Sequence, residues 1–292
     1  MLKKQEKITT QNQYYATAEK PSTETAVVQL KYPMTDDILF KMYFVKYPKF
    51  LKRLVSIILQ TPLESITEFT ITNTEIPPGF MDEKFCRLDI HMIMNGQRLD
   101  LEVQVDDEKD YPERSLYYWA RDYSSALPAG EKYKQLPRVI IINILAFHLF
   151  DCAEYHSEYR LLEVNRHTTL TDKQILHYYE LPKLPDLTDG DDELMFWLTL
   201  FKARTENDLN RIVEMGVPIM KEAIDAYKNV SVSQELYELE RLRDRTRHNE
   251  ASAIAYAQEK AAAEAEAKVE ELKAELANKD AEIMRLRAML NQ

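Results

Sequence analysis

Glycine is scarce: the chain has five in 292 residues, at 79, 96, 130, 190 and 216. Phosphate-cradling loops of the dinucleotide and nucleoside-triphosphate kinds need glycines within about five residues of one another, so both are excluded. Cysteine is also scarce. Cys86 and Cys152 cannot build a disulfide framework or, by themselves, a four-ligand zinc site. The polar N-terminus, MLKKQEKITTQNQYYATAEK, has no apolar leader, and the expected location is the reducing cytoplasm. A net charge of -11 lacks the cationic excess that coats nucleic acid by bulk attraction, so any grip on DNA must be local. The longest apolar run, residues 139–150, is interrupted by Asn143 and His148 and falls short of the roughly 20 residues a membrane helix needs. It reads as a buried strand, and no membrane partner is expected.

Against these absences stand 45% hydrophobic residues, 17 Tyr and 10 Phe, enough for a sizeable core. Residues 1–30 are polar and aperiodic and read as a flexible arm. From residue 31 the pattern changes. Thr35 or Asp36 can cap a helix bearing Leu39, Phe40, Tyr43 and Phe44, and a second amphipathic run covers 50–59 and stops before Pro62. Residues 66–72 alternate as a strand, and a loop with Pro77, Pro78 and Gly79 follows.

Residues 86–105, CRLDIHMIMNGQRLDLEVQV, are two alternating runs joined by Asn95-Gly96, the strongest short signal for a two-residue hairpin turn. The turn sets the register. Met94 pairs with Gln97, and Asp89 falls opposite Glu102. Leu88, Ile90, Met92, Leu99, Leu101 and Val103 then share a core face, while Asp89, His91, Asp100, Glu102 and Gln104 share a polar one. A helix starts near Pro112 and ends before Pro128; residues 138–145 read as a doubly covered strand, and 159–164 and 175–181 as further strands. The connector 181–193 closes this unit. Helices over 194–203 and 207–215 follow, then a long helical run from about 232.

Two carboxylates directly opposed on one sheet face repel unless a cation sits between them or the face is simply solvated. Hard divalent ions take carboxylate oxygens, and magnesium leaves positions for water and substrate phosphate, which suits phosphodiester hydrolysis. The spacing from Asp89 to Glu102-Val103-Gln104 resembles the PD-(D/E)XK nuclease signature. In detail the chain is similar to the recombination-promoting nuclease and transposase family, whose members often carry Glu-X-Gln. The segments TDDILFKMYF (35–44), RLDIHMIMNGQRLDLEVQV (87–105), DYPERSLYYWARDYS (110–124) and HYYELPKL (177–184) fit its pattern in order.

The resemblance implies a restriction-endonuclease-like core, a three-layer α/β/α arrangement on a mixed sheet over 31–184. It also implies metal-dependent DNA cleavage with Mg2+ or Mn2+, and Asp89 and Glu102 as metal ligands. Gln104 stands where the wider superfamily has a lysine; its amide can orient a water but is no base. Lys41, one turn after Asp37, is a candidate substitute, with a surface lysine as the alternative. Asp37 matches the acidic position of the family's first helix and either adds a third carboxylate or favours the helix N-terminus electrostatically. The competing class is a noncatalytic interaction scaffold built on a degenerate nuclease core.

Arg114, Tyr118 and Arg121 fall at i, i+4 and i+7 and can meet a phosphate or, alternatively, bridge to Asp110 or Glu113. Leu116, Trp119, Ala120 and Tyr123 are expected to pack into the core, and His91 to stand beside the acids. The run RLRDRTR (241–247) does not form one basic strip on a helix and reads as solvated. After a helical extension over 185–250, the Ala/Glu-rich segment 251–292 repeats Val269, Leu276, Ile283 and Leu290 every seven residues, with Leu272 and Leu286 between and Lys279 interrupting. This predicts a short coiled coil and homo-oligomer, or a helix lying on its own domain.

Overall fold

The computed structural model describes residues 27–73, 90–127, 130–188, 190 and 192–290. Two helices come first, α1 (Asp37–Lys46) and α2 (Pro48–Ile58). The Asp36 carboxylate caps α1 by accepting from Leu39 N at 2.9 Å, and Pro48 opens α2, where a missing N–H costs nothing. The strands are β1 (Phe69–Ile71), β2 (Ile90–Met94), β3 (Gln97–Gln104), β4 (Val139–Leu145), β5 (His156–Tyr159) and β6 (Gln174–Glu180), with α3 (Tyr111–Ser125) between β3 and β4. They form one mixed sheet in the order β1-β2-β3-β4-β6-β5, in which β3, β4 and β6 are parallel.

The hairpin register is the one the turn predicts: Met94 faces Gln97 and Ile90 faces Leu101. Asn95 and Gly96 both take positive φ, 49° and 71°, as the two-residue turn requires. The Asn95 side chain also holds the preceding segment, with Oδ1 accepting from Thr67 N and Glu68 N and Nδ2 donating to Ser65 O. The first strand is therefore shorter than the alternation of 66–72 suggests, because the amides of Thr67 and Glu68 serve this side chain. Strand β5 likewise lies earlier than the expected 159–164. Past Tyr159 the chain folds on itself, Leu170 N donating to Leu161 O and Glu163 N to Thr168 O, so 161–170 makes its own small loop.

Helices cover both faces of the sheet, as expected for the α/β/α class. One face packs Met92, Leu99, Leu101, Ile140, Ile142, Ile144 and Tyr179 against α1, α2 and the later helices α4 (Glu193–Lys202), α5 (Glu206–Glu214) and α6 (Pro218–Ser231). These later helices share one apolar cluster with α1 and α2: Tyr43 stacks on Phe50, which meets Trp197, and Tyr43 Oη donates to Ala223 O. Helix α6 lies between the expected helix over 207–215 and the long run from about 232, and Gly216 (φ 74°) followed by Pro218 marks its start. The end of the expected arm joins this layer, with Leu30 N donating to Arg204 O and Glu206 N to Val28 O.

Helix α7 (Gln234–Leu290) is a single 57-residue helix. Its first turns dock through Leu236 and through Arg243, which pairs with Asp36, Asp37 and Glu240. Within RLRDRTR, then, Arg243 is packed while Arg241, Arg245 and Arg247 are exposed. Every residue from 251 to 290 is exposed, so this part of the helix does not lie on its own domain. Among the described residues no helix is long and apolar enough to cross a membrane.

Candidate active site

On the second face of the sheet, alternation puts Asp100 and Glu102 of β3 in line with β4 and β6: Glu102 is level with Asn143, and Asn143 with Tyr178. The alternation predicts a polar face that either holds a metal between opposed carboxylates or is simply solvated. It is covered by α3, and Asp100 and Glu102 are each only 3% exposed. The helix brings hydroxyl groups down onto the row. Tyr111 and Ser115, four apart and so on one helical face, are fully buried. Ser115 Oγ and Tyr178 Oη lie 2.5 Å apart, and Asn143 Nδ2 donates to His177 O at 2.8 Å, which fixes the amide's orientation.

Tyr111 Oη lies 3.0 Å from Glu102 Oε2 and 2.8 Å from Asn143 Oδ1. A phenol has one hydrogen, so it donates to one of these oxygens at a time. Burial pushes the Tyr178 hydroxyl up, which keeps it a neutral partner for Ser115.

Around this row the other expected residues separate. Arg114 lies with its guanidinium carbon 4.7 Å from the Tyr111 ring centroid and pairs with Glu108, rather than with Asp110 or Glu113. Tyr118 is half-buried beside Tyr117, and Arg121 is exposed. Trp119 and Tyr123 stack on each other at 5.0 Å against the Tyr111 cluster, as expected of core residues, whereas Leu116 and Ala120 are exposed.

Gln104 is half-buried and its Nε2 donates to Asp106 O at 3.1 Å, which turns the amide's acceptor end to other partners. His91 Nδ1 is 3.3 Å from Asp100 Oδ1, so it does stand beside an acid of this face. Asp37 is held by Arg243 at 2.5 Å, and Lys41 is buried rather than on the surface. Asp89 and Cys86 lie outside the described residues.

A family model described as PD-(D/E)XK nuclease family transposase matches residues 34–257, well over half of the chain. The chain belongs to this family. No match was found among curated proteins or among solved structures. As a PD-(D/E)XK nuclease family transposase it has a nuclease-type function, with DNA as the implied partner and divalent metals as the group such nucleases generally use. Among the described residues no set of three His, Cys, Asp or Glu side chains is placed to hold a metal. The donor set nevertheless fits a hard divalent ion. Asp100 and Glu102 are buried carboxylates two residues apart on one strand, and carboxylate oxygens are the donors that hard divalent ions take.

Sequence reasoning missed Tyr111, Ser115, Asn143 and Tyr178. Two signals pointed to them: Asn143 is the polar break in an otherwise apolar strand, and Tyr111 and Ser115 share a helical face at the start of a helix opened by Pro112.

Proposed function

We propose that the protein is a Mg2+- or Mn2+-dependent DNA endonuclease acting in the cytoplasm, with its chemistry in residues 31–184 and residues 185–250 bracing that unit. The observation that carries this reading is the buried Glu102 carboxylate, held by Tyr111 beneath α3 at the centre of a polar row. Glu102 and Asp89 would hold the ion. When bound, it polarises the scissile phosphate and lowers the pKa of the attacking water.

The chain's own groups do the rest. Tyr111 can give its one hydrogen to the Glu102 oxygen or to Asn143 Oδ1, so a cation that takes up the Glu102 charge would leave that hydrogen to Asn143. Gln104, with its donor end tied to Asp106 O, offers its amide oxygen to orient a water. Arg114 is a planar donor fork beside the site, and DNA phosphate competes with Glu108 for it, with Tyr118 and Arg121 following along the same helix. Lys41 is a buried ammonium on α1 and the candidate stand-in for the missing lysine, although α1 packs on the sheet face opposite Glu102, and Asp37, clamped to Arg243, serves α1.

The second reading, a noncatalytic scaffold on a nuclease core, is favoured by Gln104 in the lysine position and by the ion pair that already occupies Arg114. Cleavage of supercoiled DNA with Mg2+ or Mn2+ separates the two. The endonuclease reading expects nicking by the wild type and its loss in Asp89→Ala and Glu102→Ala at equal purity and retained folding. Equal background from all three proteins leaves the scaffold.

A further inference from the structure

The last 40 residues of α7, 251 to 290, are exposed on every side, yet this segment is not polar on every side. Val269 (48% exposed), Leu272 (52%), Leu276 (62%), Ile283 (46%), Leu286 (54%) and Leu290 (84%) recur along one seam. Traced upstream with the same period, the seam continues through Ala251, Ala255, Gln258, Ala262 and Ala265. It is thus graded, with small residues in the first half and large ones in the second. A helix that leaves such a stripe uncovered is stabilised by packing it against another helix.

We propose that this segment forms an antiparallel two-stranded coiled coil with the same segment of a second copy of the chain. Side-chain size supports the direction. With Val269 facing Leu272 of the other copy at the centre, Ala265 faces Leu276, Ala255 faces Leu286 and Ala251 faces Leu290, so three of the large residues meet alanines, while Ile283 faces Gln258. Lys279 meets Ala262, whose small side chain lets the ammonium snorkel to water. A parallel pair would instead stack Lys279 on Lys279 and leave the alanine half thinly packed.

Charge supports the same choice. In the antiparallel pair the flanking positions set Lys268 against Glu275 and Glu266 against Lys273, each twice by symmetry, and Ile254 beside Met289; one like-charge contact, Glu259 with Asp280, opposes them. In the parallel pair the flanks set Lys268 on Lys273 and Glu275 on Asp280, with Glu282 and Arg287 alone attracting. Register follows too. Sliding the antiparallel pair one heptad in one direction places Glu275 on Glu275 and Lys273 on Lys273, and in the other direction Lys268 on Lys268 and Glu266 on Glu266. The contact would run about 60 Å along the helix, a length that suits the ~800 Å² per partner of specific interfaces. None of this depends on whether the chain cuts DNA.

The test is sedimentation equilibrium on the full chain and two variants. A dimer is expected for the wild type. Lys268→Glu should weaken it roughly tenfold, since two attractive pairs become repulsive, and adding Glu275→Lys should restore most of the loss. The two directions give opposite signs: in a parallel coil, Lys268→Glu would face Lys273 and tighten the dimer. A monomeric wild type, or tightening by Lys268→Glu, overturns the proposal. Failure of the double variant to recover overturns the pairing of 268 with 275.

Discussion

The two faces of the sheet are drawn from the same strands at alternate positions, yet they are built on different principles. One face is a continuous apolar layer in which Leu99, Leu101, Ile142 and Ile144 meet α1, α2 and α4. The other is apolar at Val139, Ile141 and Leu176, but a row of polar groups, Glu102, Asn143 and Tyr178, crosses its centre. The first face can exchange one hydrophobe for another at modest cost. The second cannot, because each buried polar atom depends on a particular partner. Apolar packing is concentrated on one side and buried hydrogen-bonding groups on the other.

Emptying the apolar side should give the largest effect on folding. Trp197 is fully buried against Phe50, with its Nε1 donating to Glu193, and Trp197→Ala is expected to cost about 3–5 kcal/mol in urea denaturation. A loss under 1 kcal/mol would contradict the division of labour between the faces.

His177 tests where the apolar side ends. It lies on that face at the β5 edge, buried, with its Nδ1 3.1 Å from His156 Nε2 and with burial pushing its pKa down to about 4. A base whose folded pKa is depressed opposes protonation of the native state. Stability should therefore be complete above about pH 6.5 and fall as the pH drops towards 4, by roughly 3 kcal/mol in all. Chemical denaturation at stepped pH measures this, and His177→Gln should flatten the profile.

On the polar side, Tyr111→Phe keeps the ring and removes the hydroxyl shared by Glu102 and Asn143. The expected destabilisation is about 1–3 kcal/mol. If the row serves placement, nicking by Tyr111→Phe should fall further than the lost stability explains at a temperature where both proteins are folded. A variant as active as the wild type would leave the row a packing device only.

Much of this was readable in advance, for identifiable reasons. Asn95-Gly96 determines a turn type, and the turn type determines the register, so the facing of Ile90 and Leu101 followed from two residues. The Asp36 cap and Pro112 mark helix starts through backbone chemistry that acts locally. The covering of the polar face was not readable, because alternation separates two faces without saying what lies on either. Only the fold brings Tyr111 and Ser115 down on Glu102 and Tyr178. Strand β5 was misplaced for a similar reason: the β-like sequence 159–164 has its hydrogen bonds taken by its own loop. The exposure of the last 40 residues of α7 could not be read either, since heptads state that a helix has a partner and not whose surface it is.

The attachment of α7 has a mechanical consequence. Arg243 fastens the helix to Asp36 and Asp37 at the root of α1, and the remaining 47 residues project beyond that fastening as a rod of about 70 Å. Such a rod amplifies motion: a 5° tilt at its fulcrum sweeps the far tip by roughly 6 Å. The fulcrum is the first turn of the helix that carries Lys41.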